Sequence, residues 1–561
     1  MTAAEDLRAV ADEYWEARLE ASPLLASFLG DHRYDDRADD LSVGADQRLR
    51  ARWVELHDRA RAVDAQGIDD LDVVTRDLLA QELVDSIRSI DQRLVELASD
   101  QMQGAHAELL MIAGQLRAPE PEHARMALTR IPELARMLEQ GAERYLAGVR
   151  AGRTSAQINV ARSVNQVSSY LDSPLGQDPF VNVAGPQDWD EGETWRAQMS
   201  DAVRDVLRPA FARYRAVFVN ELQPVARPDD RPGLCHIPGG DEIYQTLIEL
   251  HTGLPLTATE LHEIGRDETT SKLPAEFAEL GVQAFGLADL GQLFDKLKND
   301  PDLRYGDGDA IVAHAQRCLD AATAAMGGWF GILPEAACVL KPVPDYLAAD
   351  MPPAYYMPPA PDGSRPGEYF VNLYEPAERG RYSTAAIAYH EAIPGHHLQV
   401  AIATERTDLP AFRRLTTGHT AFVEGWALYT ERLADEMGLY EGPLDRLGMV
   451  ASDGWRACRL VVDTGLHAMG WSRQQAIDFM VEHMPVDLDT ITVEVDRYIG
   501  MPGQALAYKV GQREILRLRA DARERLGDQF EIKGFHDAVL GAATISLPVL
   551  RRRVEDWVQA H

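Results

Sequence analysis

Apolar residues recur at helical spacing along most of the chain. Leu7, Val10, Ala11, Tyr14, Trp15 and Leu19 share one face of a helix predicted within 7–29. The same period predicts helices at about 44–64, 71–99, within 106–171 with a break at Pro119 and Pro121, and over 195–222. Pro and Gly make 172–188 a loop. Beyond Arg231-Pro232-Gly233 the texture changes: Pro238-Gly239-Gly240-Asp241 is a turn into a helix at 242–251, and 256–280 is a further helix with Thr257 or Thr259 as its cap. Helical runs return at 420–437, 444–470, 472–484 and 548–558.

Two stretches break this rhythm. Residues 334–366 are rich in proline, interleaved with Tyr346, Tyr355 and Tyr356, and read as an extended loop that either lines a binding site or connects elements rigidly. Glu368-Tyr369-Phe370-Val371-Asn372-Leu373-Tyr374 alternates with period two and predicts a strand. Strands and helices do not alternate regularly and no repeat is present, so the expected fold is mainly α with a small β-sheet.

Composition narrows the function. The 561 residues carry a formal charge of −33, which argues against nucleic acid and anionic membranes as partners. Cys235, Cys318, Cys338 and Cys458 lie too far apart for a disulfide framework or a zinc ribbon. Met1 to Asp12 is acidic and amphipathic, unlike a signal peptide, and no run approaches the roughly 18 apolar residues of a membrane span; a cytoplasmic protein is expected.

The chemistry concentrates in Tyr389-His390-Glu391-Ala392-Ile393-Pro394-Gly395-His396-His397, which follows the apolar run Ala385-Ala386-Ile387-Ala388 opened by Ser383-Thr384. A His-Glu pair with another His close by suits a zinc hydrolase: two neutral imidazoles hold the ion, and the glutamate takes a proton from the water it activates. The spacing is unusual. In His-Glu-x-x-His the two histidines lie about 40° apart around a helix, whereas His396 would lie about 240° from His390 on a straight one. Pro394 cannot donate to the carbonyl of His390 and Gly395 tolerates unusual dihedrals, so a bulge of two residues would make His396 the second ligand. His397 is the alternative. The competing reading is that Pro-Gly simply ends a helix.

Glu424 stands alone inside the apolar run Thr420-Ala421-Phe422-Val423-Glu424-Gly425-Trp426. A buried carboxylate requires a cation or strong donors, so it is either the third metal ligand or the partner of Arg413 or Arg456. A second chemical cluster, Arg497, Tyr498, Gln504, Tyr508 and Lys509, surrounds a Pro-Gly turn. Tyr508 or Lys509 could stabilise an oxyanion opposite the metal, with Tyr508 favoured. His536-Asp537 is either a supporting pair behind the metal or a helix cap. His262-Glu263 has no second histidine nearby and reads as a solvated helix face.

The HEAIPGHHLQ, FVEGWALYTERL and MPGQALAYK stretches, with Asp362-Gly363-Ser364-Arg365-Pro366-Gly367 and Phe535-His536-Asp537-Ala538-Val539-Leu540, resemble the bacterial domain of unknown function 885 family nearly end to end. That family resembles the gluzincin metallopeptidases of the helical thimet-oligopeptidase-like and carboxypeptidase-like type. The resemblance implies a zincin-like fold with a deep cleft, zinc on His390, His396 and Glu424, and Glu391 as general base. The expected organisation is a helical scaffold lobe, 1–230, and a metallopeptidase-like lobe, 231–561, or one intertwined domain. The expected activity is zinc-dependent cleavage of peptide bonds in short peptides, with manganese or cobalt able to replace zinc. Glu391 is the base, Tyr508 and Lys509 are catalytic, and Tyr369, Asn372, Arg497, Tyr498 and Gln504 contact substrate, Tyr369 and Asn372 from an edge strand that pairs with a peptide. Rival readings are an amidohydrolase of a small metabolite and a non-catalytic binding protein on the same fold.

Overall fold

The structure, a computed structural model, describes residues 2–348, 351–360, 363, 365–415 and 418–561, with the backbone alone at 346 and 347. Asp362 and Ser364 of the motif quoted above, and the side chain of Tyr346, lie outside the described residues. The chain is mainly helical, and local chemistry explains where its helices begin. Thr2 with Glu5, Thr257 with Glu260, and Ser472 with Gln475 form capping boxes at the starts of Ala3–Ala21, Ala258–Asp267 and Arg473–His483. Thr257, rather than Thr259, is therefore the cap. The periodic stretch 106–171 resolves into Ala105–Ala113, Pro121–Arg150 and Gln157–Asp172, with Pro121 in the first turn of the long helix. Leu290–Asn299 and Gly308–Trp329 are two further helices.

Buried apolar side chains form two large clusters. The smaller one holds Leu109, Leu138, Phe180, Trp195, Phe211 and Phe218, all from the first 222 residues. The larger one joins Tyr389, Trp426, Leu460 and Ile515 to Tyr14, Leu56 and Leu78 from the start of the chain. Packing therefore does not divide at 230. The helices Ala3–Ala21 and Asp70–Asp91 pack onto the later segment, as the edge-on contact of Tyr14 with Phe412 at 5.7 Å illustrates, and Val43–Ala62 packs on these two.

Three strands, β1 (Cys338–Pro342), β2 (Ala354–Met357) and β3 (Gly367–Val371), form a sheet in the order β1-β3-β2. β1 runs parallel to β3, with Leu340 opposite Tyr369, and β2 runs antiparallel, with Tyr356 opposite Tyr369. This corrects the expected edge strand. β3 is central, both its backbone edges are paired, and it has no ladder left to offer a peptide. Part of the tyrosine-rich stretch is thus a strand, β2, which packs on the helix Thr384–Glu391. That helix also meets Gly308–Trp329, Thr420–Glu436 and Pro443–His467. Among the described residues no helix is long and apolar enough to cross a membrane.

Candidate metal centre

The helix Thr384–Glu391 stops where its sequence requires. Ala392 leaves helical space (φ −100°, ψ −108°), the Ile393–Pro394 peptide is cis, and Gly395 follows at φ −78°, ψ −127°. A new helix, His396–Glu405, then begins. The two histidines thus sit on two helices broken at Pro394-Gly395, instead of on one bulged helix. Glycine is required at 395: a Cβ there would lie 1.9 Å from the carbonyl oxygen of His390. Ser383 does not cap the first helix through its side chain, which instead donates to the Gly380 carbonyl. The break is held from the Glu424 helix, where the indole N–H of Trp426 donates to the Pro394 carbonyl at 3.0 Å.

This break brings together His390, His396 and Glu424. Oε2 of Glu424 lies 3.6 Å from Nε2 of His390 and 3.5 Å from Nε2 of His396, and the two imidazole rings cross at 85°. His390 is buried, while the side chains of His396 and Glu424 keep 13% and 19% exposure, so the cluster opens to solvent on one side. Arg413 and Arg456 do not pair with Glu424. Arg413 donates to Thr75 and to the Ala542 carbonyl, and Arg456 to Ser452. His397 turns away from the cluster: its Nε2–H donates to the Ala336 carbonyl at 3.0 Å, its Nδ1 accepts from Tyr356 at 3.1 Å, and burial lowers its pKa to about 4.

Electrostatics couple the three groups. Oε2 of Glu424 is buried and has no hydrogen-bond partner. Burial works to raise the Glu424 pKa, but the two imidazoles outweigh it and hold the carboxyl well below its ordinary range. Burial likewise works to lower His390, yet Glu424 and Glu431 overcome it and raise the imidazole to about 9. Glu431 was not anticipated. It lies two helical turns beyond Glu424 on the same face, and its Oε1 accepts the Nδ1–H of His390 at 2.8 Å. This bond orients the ring and keeps a proton on Nδ1, so Nε2 is the nitrogen of His390 that a metal would take.

A metal fits this arrangement. Donors about 2.0–2.2 Å from a tetrahedral zinc stand about 3.3–3.5 Å from one another, close to both separations from Glu424 Oε2, and two imidazoles with one carboxylate are a common zinc set.

Around the cluster, the expected residues divide. Glu391 ends the first helix next to His390; it is half-buried, and its charge helps raise the Tyr369 phenol, after burial of that ring. Tyr508 stacks near His390, with ring centroids 6.4 Å apart, and burial and then Glu424 raise its pKa, so the phenol stays protonated. Its placement depends on a close helix crossing, in which a Cβ on Gly511 would lie 1.7 Å from the Ala421 carbonyl oxygen. Lys509 is corrected: it is buried, donates to Asp453 at 2.5 Å and lies 3.5 Å from Glu268, so its charge is already neutralised.

Three of the expected substrate contacts are structural. Tyr369 is buried in the core. The Asn372 amide donates to the carbonyls of Ala348, Met351 and Pro352. Tyr498 is buried, with its hydroxyl bonded to Trp455, Arg459 and Glu494. Arg497 is tied to Glu494 and Gln504 at 2.9 Å each. The buried His536 stacks on Phe330 and Asp537 accepts from the amides of Gly331 and Ile332, so neither touches the ligands. His262 is not solvated as expected but buried, with Nδ1 2.9 Å from the hydroxyl of Thr464 and its ring edge-on to Trp471.

Fold and cluster together describe a large helical protein with a two-histidine, one-carboxylate cluster that could hold a metal ion. The chain belongs to the family described as bacterial protein of unknown function (DUF885), which matches residues 23–554. Two solved structures, both called "putative lipoprotein", are similar to it. One, from Colwellia psychrerythraea, has a TM-score of 0.92 at 25% identity and covers 100% of both chains. The other, from Shewanella oneidensis, has a TM-score of 0.75 at 19% identity, covering 98% of this chain and 99% of its own. No curated protein matches.

Proposed function

We propose that the protein is a zinc-dependent hydrolase of peptide bonds, acting on short peptides in a gluzincin-like cleft. The observation that carries this reading is the buried, unpartnered Oε2 of Glu424 between two imidazole Nε2 atoms. His390, His396 and Glu424 would hold the zinc, which would supply Lewis acidity and make water easier to deprotonate. Glu391 accepts a proton from the attacking water and delivers it to the leaving amine. Tyr508, protonated at neutral pH, donates a hydrogen bond to the oxyanion that forms. Glu431 orients His390 and does not touch substrate.

The test joins elemental analysis of protein purified without added metal to a short-peptide cleavage screen with and without chelator. Glu391→Gln should keep its zinc while kcat falls about 100-fold or more. Full turnover in that variant removes the proposed base. The cysteines are free thiols, Cys318 and Cys458 buried, which supports a cytoplasmic location; the names of the two solved relatives support an anchored one. Cell fractionation separates the two.

A further inference from the structure

We infer that Arg456 and Arg459, beside Tyr508, form a carboxylate subsite, so that the protein removes the C-terminal residue of a peptide with a free carboxylate. This rests on the peptidase reading above and adds the substrate class.

Tyr508 adjoins the ligand His390, and two guanidinium groups lie over its ring, Arg459 at 4.5 Å and Arg456 at 5.7 Å from the centroid. Arg497 is close enough to act on the same phenol. Two carboxylates stand near these three cations: Glu494, which Arg459 and Arg497 share, and Glu424, which faces the two imidazoles. Arg456 has no acidic partner among the described residues. Its hydrogen bonds go to Ser452 of its own helix, and its Nε is buried without an acceptor. Nη1 of Arg459 is likewise buried and unbonded. Leaving cations unneutralised is costly at a half-buried position, and elsewhere this chain has acids to spare, with a net charge of −33. Cations near a dication site also oppose metal binding, and these two guanidinium groups lie beside the ring that stacks near His390. An anionic ligand removes both penalties.

The guanidinium fork suits a carboxylate, which accepts two parallel N–H bonds. One residue spans about 3.3–3.6 Å of extended chain, so the carboxylate of a C-terminal residue follows closely on the scissile amide, and its subsite must adjoin the ligands, as the Tyr508 ring adjoins His390. The reaction is plain hydrolysis: the C–N bond breaks, the hydroxyl of water joins the carbonyl carbon, and the proton goes to the departing amine.

Acetyl-trialanine as the free acid and as the C-terminal amide provides the test. The wild type should cleave the acid at least about tenfold faster in kcat/KM, and Arg456→Gln should bring the two within about threefold. Equal cleavage of acid and amide by the wild type, or a preference that survives Arg456→Gln, overturns the subsite. Calorimetric titration of both peptides into zinc-loaded Glu391→Gln protein needs no turnover. If neither peptide is cleaved but the acid binds at least about tenfold more tightly, the peptidase reading fails while the subsite stands. Equal binding there overturns the subsite.

Discussion

Oε1 of Glu431 accepts the Nδ1–H of His390 at 2.8 Å, from a buried carboxylate two helical turns beyond Glu424. One helix thus supplies both a ligand and the group that orients another ligand. Glu431→Gln should therefore keep the fold yet weaken zinc binding about 10–100-fold, read by competition with a chromophoric chelator. Unchanged affinity would mean that the bond does not hold the ring.

The adjacent histidines separate sharply. His396→Ala should abolish stoichiometric zinc, whereas His397→Ala should retain it, since His397 serves Tyr356 and the Ala336 carbonyl. Metal-to-protein ratios by elemental analysis distinguish them. Zinc lost from His397→Ala but kept in His396→Ala would reverse the assignment.

Close packing of the Glu424 helix on the Tyr508 helix makes Gly511 sensitive to one methyl. A Cβ there would lie 1.7 Å from the Ala421 carbonyl oxygen, and backbone cannot yield as a flexible side chain would. Gly511→Ala should cost about 1–3 kcal/mol or more in thermal unfolding, and should reduce activity further by parting Tyr508 from Glu424. A neutral effect on both would mean that the crossing does not hold Tyr508 in place.

Acid should unfold the protein partly through a histidine outside the His390, His396 and Glu424 cluster. The Nδ1–H of His536 donates to the Trp329 carbonyl, so its Nε2 accepts from Tyr429, both at 2.8 Å. Burial lowers its pKa to about 3 against an ordinary 6.5. Because the folded value is the lower one, the unfolded chain binds the proton first. Stability from this residue is full above about pH 6.5 and is lost as pH falls toward 3. Melting temperature measured across that window should fall less steeply in His536→Gln than in the wild type.

Much of this molecule is legible in its linear pattern. Apolar period and capping residues place the helices, because both act over a few neighbouring residues. The His-Glu pair, the Pro-Gly break and the lone Glu424 likewise mark the candidate metal centre, since a carboxylate in an apolar run needs a cation or strong donors wherever the chain takes it.

Tertiary structure alone decided the rest. That β3 is central depends on a parallel partner more than twenty positions earlier, which alternation in one strand cannot reveal. Whether His396 or His397 faces Glu424 depends on how the second helix packs: His396 meets Glu424, while His397 meets the Ala336 carbonyl from a distant segment. Lys509 and Tyr508 are neighbours in sequence, yet about 100° of helical rotation sends one to Asp453 and the other toward His390. Such choices are made by contacts between distant segments, and a local pattern holds no record of them.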